Sequence, residues 1–128
     1  MADDHQPAQF SGRGWPIKFR NAFRGILEGV TDRGNAWMQN SFLVHIPAGL
    51  VVVAYAFYRN LDRISISVLI GCIALVWVAE LANSAIESLA KAVTDQPNEN
   101  IRKALDISSG AVLVASLFAT LIGLLIFL

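Results

Sequence analysis

The chain has 128 residues, 55% hydrophobic and 16% charged, with a mean hydropathy of +0.52 and no formal net charge. A soluble domain of this length runs nearer about 45–50% apolar and about 25% charged, so the excess marks a small membrane protein. Zero net charge argues against a nucleic-acid partner, and the single cysteine, Cys72, excludes an intrachain disulfide and reads as packing in an apolar run.

Residues 1–12 are polar, contain Gly and Pro, and read as a disordered tail, leaving one expected domain over residues 13–128. His5 has no companion ligand beside it in the tail. The first 40 residues lack the compact apolar core of a cleavable secretory signal.

From Trp15 the pattern changes. Ile17, Phe19, Ala22, Phe23, Ile26, Leu27 and Val30 recur at spacings of one, three and four, while Lys18, Arg20 and Arg24 occupy the remaining surface. This is the pattern of an amphipathic basic helix lying in a membrane interface, expected over about residues 15–33. Trp15 and Trp37 suit headgroup depth. A break is expected near Gly34, followed by re-entry into helix.

The first spanning candidate covers about residues 42–58, roughly 17 residues without an acid or strong base and near the lower length limit for crossing hydrocarbon. Pro47 is expected near the start of this helix, where it does least harm. His45 is expected to be a satisfied polar tip near the interface. After the polar turn Arg59-Asn60-Leu61-Asp62-Arg63, the second helix is expected over about residues 64–92. A polar connection follows, with Asp95 as the expected cap and Pro97 just inside the next helix, which runs to the end over about residues 97–128. The fold class expected is therefore an all-α membrane protein with three transmembrane helices and an N-terminal amphipathic interfacial helix.

Lysine and arginine set the expected topology. The N-terminal arm and the second loop together carry eight of them (Arg13, Lys18, Arg20, Arg24, Arg33, Lys91, Arg102, Lys103); the first loop carries two, Arg59 and Arg63. That bias places the N-terminus and the second loop in the cytoplasm. Glu80, Asn83, Glu87 and Asp106 then share the cytoplasmic face of the membrane.

Four of the polar residues on the second helix coincide on one side. At about 100° per residue, Glu80, Asn83, Ser84 and Glu87 fall within roughly 100° of arc, stacked over two turns. The run from Ile64 to Ala79 that leads into them carries no charge. An acid at the end of such a run is costly unless it meets water, a partner or a cation. Two acids on one stripe can hold Mg²⁺ or divide into a metal ligand and a base. The bland alternative is a helix end emerging into the headgroups.

The sequence Glu80-x-x-Asn83-Ser84-Ala85-Ile86-Glu87 resembles the signature of the prokaryotic diacylglycerol kinases, small membrane enzymes that include undecaprenol kinases. Ala104 to Leu113 resembles the start of that family's third spanning helix. Phe19-x-x-Ala22-Phe23-x-Gly25 resembles its surface helix, and Val44-His45 the start of its first span. The likeness runs from Ile17 to the end. It implies a homotrimer with composite sites in the bacterial inner membrane, moving the γ-phosphoryl of MgATP onto a lipid hydroxyl. Diacylglycerol is the acceptor favoured, with undecaprenol as the alternative. Under the resemblance Glu80 is the general base, Asn83 orients lipid or phosphate, Glu87 holds Mg²⁺, and Asp106 completes the polar cluster.

Three positions depart from the family pattern. Lys91 stands where an aspartate is usual, Leu105 where a lysine is usual, and Gln39 where a metal-binding glutamate is usual. Gln39 can coordinate only through its carbonyl oxygen, and Glu28 and Asp32 lie upstream as substitute ligands. Lys91, Lys103 and Arg24 are the cations expected to meet ATP phosphates. A catalytically weak relative, acting as a lipid-binding or structural membrane subunit, is the reading from another class. An ion or proton conduit using Glu80 finds no partner acid at mid-depth in the other two spans.

Overall fold

The computed structural model describes residues 14–31, 36–93 and 96–128, and the side chains of 14–30, 44–93 and 96–128. Four helices follow one another: α1 (Trp15–Thr31), α2 (Ala36–Tyr58), α3 (Arg63–Val93) and α4 (Glu99–Phe127). The tail, the break expected near Gly34 and the Asp95 cap lie outside the described residues.

The helix starts follow from local side-chain chemistry. At the head of α3, Asp62 Oδ1 accepts from the amides of Ile64 and Ser65 at 2.9 and 3.1 Å, and Ser65 Oγ donates to Asp62 Oδ2 at 2.6 Å. These bonds serve amides that the helix itself leaves without partners. They also hold the Asp62 carboxyl below its ordinary pKa, the Ser65 hydroxyl contributing most. Asn60, with φ of 52°, adopts the left-handed backbone that lets α2 stop and the chain turn.

The start of α4 differs from expectation. Asn98, in extended backbone, is the cap: its side chain accepts from Asn100 and Ile101 at 2.9 and 3.2 Å. Pro97 therefore precedes the helix instead of opening it, because the Asn98 carboxamide takes the capping position. Pro47 is also displaced from its expected place. It sits inside α2, because that helix begins at Ala36, well upstream of the apolar run. A proline there removes one helix hydrogen bond, a loss that transmembrane helices tolerate through local adjustment and neighbouring groups.

α3 is the scaffold. α4 packs along it most extensively, α2 packs on it next, and α1 touches it near Gly29. Two glycines permit close approach. A Cβ at Gly49 on α2 would stand 3.1 Å from Ile73 Cγ2, and one at Gly29 on α1 would stand 2.7 Å from Leu81 Cδ2. Small residues of this kind let helices meet where no water drives them together. At the far end Tyr55 on α2 meets Phe127 on α4, with ring centroids 5.1 Å apart.

Polarity in this bundle is inverted relative to a soluble one. Leu113, Leu117, Phe118 and Leu125 point outward, whereas Glu80, Asn83, Ser84 and Ser108 are buried. An apolar exterior around a polar interior suits a lipid surround. α3 and α4 are each long and apolar enough to cross a membrane, and α2 contains a shorter apolar stretch, Val44–Tyr58. On α1, Phe19, Phe23, Ile26 and Leu27 lie exposed along the helix.

Candidate active site

The site grows out of the junction between α3 and α4. Glu80, Asn83 and Glu87 lie along one stripe of α3, and α4 passes beside them at Ser108. Asn83 is buried and is held at both ends of its amide. Its Oδ1 accepts from Ser108 Oγ at 2.7 Å, with Ser109 Oγ further off at 3.4 Å, and its Nδ2 donates to Glu87 Oε1 at 2.7 Å. The single proton of Ser108 is shared with the Leu105 carbonyl, 2.9 Å away. A buried amide with both ends engaged has one orientation, since reversing it would set its oxygen against the Glu87 carboxylate, acceptor against acceptor.

Glu80 is 5% exposed, the most buried charged residue among those described. Its Oε1 lies 3.2 Å from Nδ1 of His45, which reaches across from α2. Glu87, one turn beyond Asn83, is half-buried. α2, α3 and α4 line an open cavity of about 340 Å³ bordered by His45, Cys72, Trp77, Thr120 and Phe127 among other residues. This volume falls in the range of small-molecule pockets, about 300–1,000 Å³. Its lining is mostly apolar, and His45, which approaches Glu80, is the lining residue that links it to the polar cluster.

The remaining expected residues fall elsewhere. Asp106 is exposed and points away from Asn83; its Oδ2 accepts from Arg102 Nη1 at 2.6 Å. Arg102 also grips Glu99 through Nε and Nη2, at 3.0 and 2.7 Å, while Lys103 Nζ lies 3.8 Å from Glu99 Oε1. The polar contribution of α4 to the cluster thus comes from Ser108, two residues past Asp106. Lys91 is exposed near the end of α3. Arg24 and Glu28, expected to meet phosphate and metal respectively, are both exposed and lie one turn apart on α1, with Nε and Oε1 3.4 Å apart. A pair this exposed is worth under about 1 kcal/mol and leaves both side chains available to other partners. The Gln39 side chain and Asp32 lie outside the described residues.

Among the described residues no three His, Cys, Asp or Glu side chains converge in the manner of a dedicated metal cage. Glu87 nevertheless suits a hard cation. Mg²⁺ is commonly held by one or two carboxylates together with substrate phosphates. A carboxylate fixed by a hydrogen bond to its neighbour meets that requirement.

Sequence reading missed two members of the cluster. Ser108 lies 25 positions from Asn83, and only the packing of α4 on α3 brings it there. A lone histidine near an interface usually satisfies itself, so His45 carries no signal by itself. Its offset from Glu80 along two different helices leaves no periodic signal.

The profile of the family described as prokaryotic diacylglycerol kinase matches residues 20–127. The chain is 31% identical over 108 residues to a diacylglycerol kinase of Synechocystis sp., an alignment covering 84% of this chain but 58% of that protein. It is 33% identical over 110 residues to an undecaprenol kinase of Bacillus subtilis, covering 86% and 85% of the two chains. With a diacylglycerol kinase of Escherichia coli the identity is 32% over 87 residues, covering 67% and 71%.

Proposed function

The chain belongs to the prokaryotic diacylglycerol kinase family, and from that premise we propose that it is a lipid kinase of the cytoplasmic membrane. In this reading it transfers the γ-phosphoryl of MgATP to a lipid hydroxyl, most readily that of diacylglycerol. The observation that carries the proposal is the buried polar cluster of Glu80, Asn83 and Ser108, joined through His45 to a mostly apolar cavity. A lipid alcohol needs that juxtaposition: apolar room for its chains and a carboxylate at the hydroxyl.

Phosphoryl transfer depends on positioning and charge more than on covalent help from the protein. Glu80 takes the proton as the acceptor oxygen attacks phosphorus, the role of a general base within hydrogen-bond reach. Asn83, fixed by Ser108, presents its amide to Glu87 and to the phosphate side of the site. A divalent cation, when bound, offsets charge on the phosphates and orients the transferring group. Glu87 holds that ion, with Gln39 or Glu28 as the candidate ligand from the N-terminal arm. Lys91, Lys103 and Arg24 lie on the side where ATP arrives and supply positive charge for its phosphates. Asp106 acts through Arg102, which it anchors at the mouth of the site.

The proposal includes three membrane spans, with the apolar stretch of α2 joining α3 and α4. It also includes α1 lying along the cytoplasmic surface and a homotrimer in which a neighbouring copy completes each site. Exposed apolar residues on every helix support the membrane setting. Undecaprenol is the second acceptor considered, because the Bacillus subtilis relative named for it aligns over most of both chains.

The test is transfer of labelled phosphate from ATP, with Mg²⁺, to diacylglycerol and to undecaprenol presented separately in mixed micelles. A labelled lipid product is expected, in larger yield from diacylglycerol. A well-folded preparation that labels no lipid would move the assignment to a non-catalytic membrane subunit.

A further inference from the structure

The approach of His45 to Glu80 calls for an explanation that the proposed reaction does not itself provide. Glu80 is 5% exposed, and a carboxylate that deep is stable as an anion only with a partner. The partner side chain comes from a different helix. His45 Nδ1 lies 3.2 Å from Glu80 Oε1, and about a third of the His45 side chain remains exposed while the acid is covered. The histidine also borders the cavity, so it joins that mostly apolar space to the reacting end.

Contact through Nδ1 has a geometric consequence. A carboxylate has two oxygens, and a base that can turn freely about its last torsion presents either one in many directions. In this structure Nδ1 stands within reach of Oε1 without being aligned for a hydrogen bond; a modest turn of the ring brings its N–H onto Oε1 from α2, which fixes the plane of the carboxylate and gives Oε2 a defined heading. A general base gives its full effect only when held within hydrogen-bond reach of the proton it removes. The backbone supports this placement: Gly49, one turn further along α2, allows that helix to come within van der Waals contact of Ile73 on α3.

We infer that His45 is a positioning residue for Glu80, orienting the carboxylate through Nδ1 so that its other oxygen faces the acceptor hydroxyl. The inference rests on the kinase reading and on Glu80 being the base. It assigns His45 no contact with ATP or with the departing phosphate. Its loss therefore lowers kcat and leaves KM for ATP unchanged.

The choice of ring nitrogen makes the test specific. The side-chain nitrogen of asparagine occupies nearly the place of Nδ1, and that of glutamine nearly the place of Nε2. His45→Asn is expected to retain at least about a third of kcat, whereas His45→Gln and His45→Ala fall by about tenfold to a hundredfold, all with wild-type KM for ATP. An equal loss in all three variants would assign His45 to packing and overturn the inference, as would full kcat in His45→Ala.

A second readout separates this inference from the reading beneath it. With only two histidines in the chain, ¹⁵N spectra of ring-labelled protein in micelles resolve His45 from His5. The Nδ1 resonance of His45 is expected to be that of a protonated, hydrogen-bonded nitrogen, and to change in Glu80→Gln. A ring insensitive to Glu80→Gln overturns the pairing even where the enzyme is active. A paired ring in a protein that phosphorylates no lipid overturns the kinase reading, and with it the catalytic purpose of the pair.

Discussion

Ser108 on α4 fixes the amide of Asn83 on α3: its hydroxyl donates to Oδ1 at 2.7 Å, so that Nδ2 must face Glu87, also at 2.7 Å. One hydroxyl on a neighbouring helix thereby sets the direction of two side chains in the site. The link is buried, where a lost partner is not replaced by water. Ser108→Ala is expected to reduce stability by about 0.5–1.5 kcal/mol and turnover several-fold, with Ser108→Thr restoring most of both. Thermal unfolding in detergent, paired with initial rates, checks this; unchanged rates in Ser108→Ala would show that Ser109, at 3.4 Å, suffices.

Glu80→Gln keeps the volume of the buried side chain and removes its basicity. Turnover is expected to vanish while the oligomer, followed by size exclusion in detergent, stays intact. An active Glu80→Gln protein would remove Glu80 from the role of base.

Lys91 is exposed near the end of α3 and, in the proposed reading, meets polyphosphate. Lys91→Ala is expected to raise the apparent KM for ATP several-fold with little change in kcat. An unaltered KM would make it a solvated charge at the end of α3.

The cap of α3 carries a pH dependence of defined sign. The folded Asp62 carboxyl titrates below its ordinary range because Ser65 and two backbone amides stabilise the charged form. Its contribution is complete above the unfolded pKa of about 4, and is lost as pH falls through the lower folded value. Amide exchange at Ile64 and Ser65 should be protected at neutral pH and become faster, relative to intrinsic rates, in strong acid. Asp62→Ala should show the unprotected behaviour at every pH.

Gly49 lies where α2 packs against Ile73 of α3. Gly49→Val places methyl groups against Ile73, whose own branched side chain yields little. A loss of about 1–3 kcal/mol is expected from overpacking. Turnover should fall as well, because His45 lies on the same stretch of α2. Wild-type unfolding and activity in this variant would mean that α2 can shift without disturbing the site.

How far the sequence disclosed this arrangement depended on whether a feature was local. The helical stretches of α3 and α4 followed from uninterrupted apolar runs, and the stripe of Glu80, Asn83 and Glu87 from helical spacing alone. The register between helices left no such trace. Nothing in the run around Ser108 distinguishes it from Ser109 until α4 is laid on α3. Asp106 drew attention by its charge, yet the Arg102 side chain one turn away holds it outside the cluster. Cap positions failed for a related reason: Asp95, Pro97 and Asn98 are all good helix-start residues, and short-range hydrogen bonding chose among them. Pro47 lies inside α2 because the polar residues ahead of the apolar run join the helix from Ala36 on, which hydropathy does not mark.

α3 also measures depth. Seventeen residues separate Arg63, just past its Asp62 cap, from Glu80. At about 1.5 Å per residue this is roughly 26 Å, close to the hydrocarbon thickness of about 30 Å. In the membrane setting proposed above, with the polar turn in one set of headgroups, the carboxylate would come level with the opposite boundary. A thinner bilayer leaves it among water and headgroups, and a thicker one draws it under the acyl chains unless the helix tilts less or the lipid deforms. The length of a single rigid helix thus ties the surroundings of one side chain to the dimensions of the lipid.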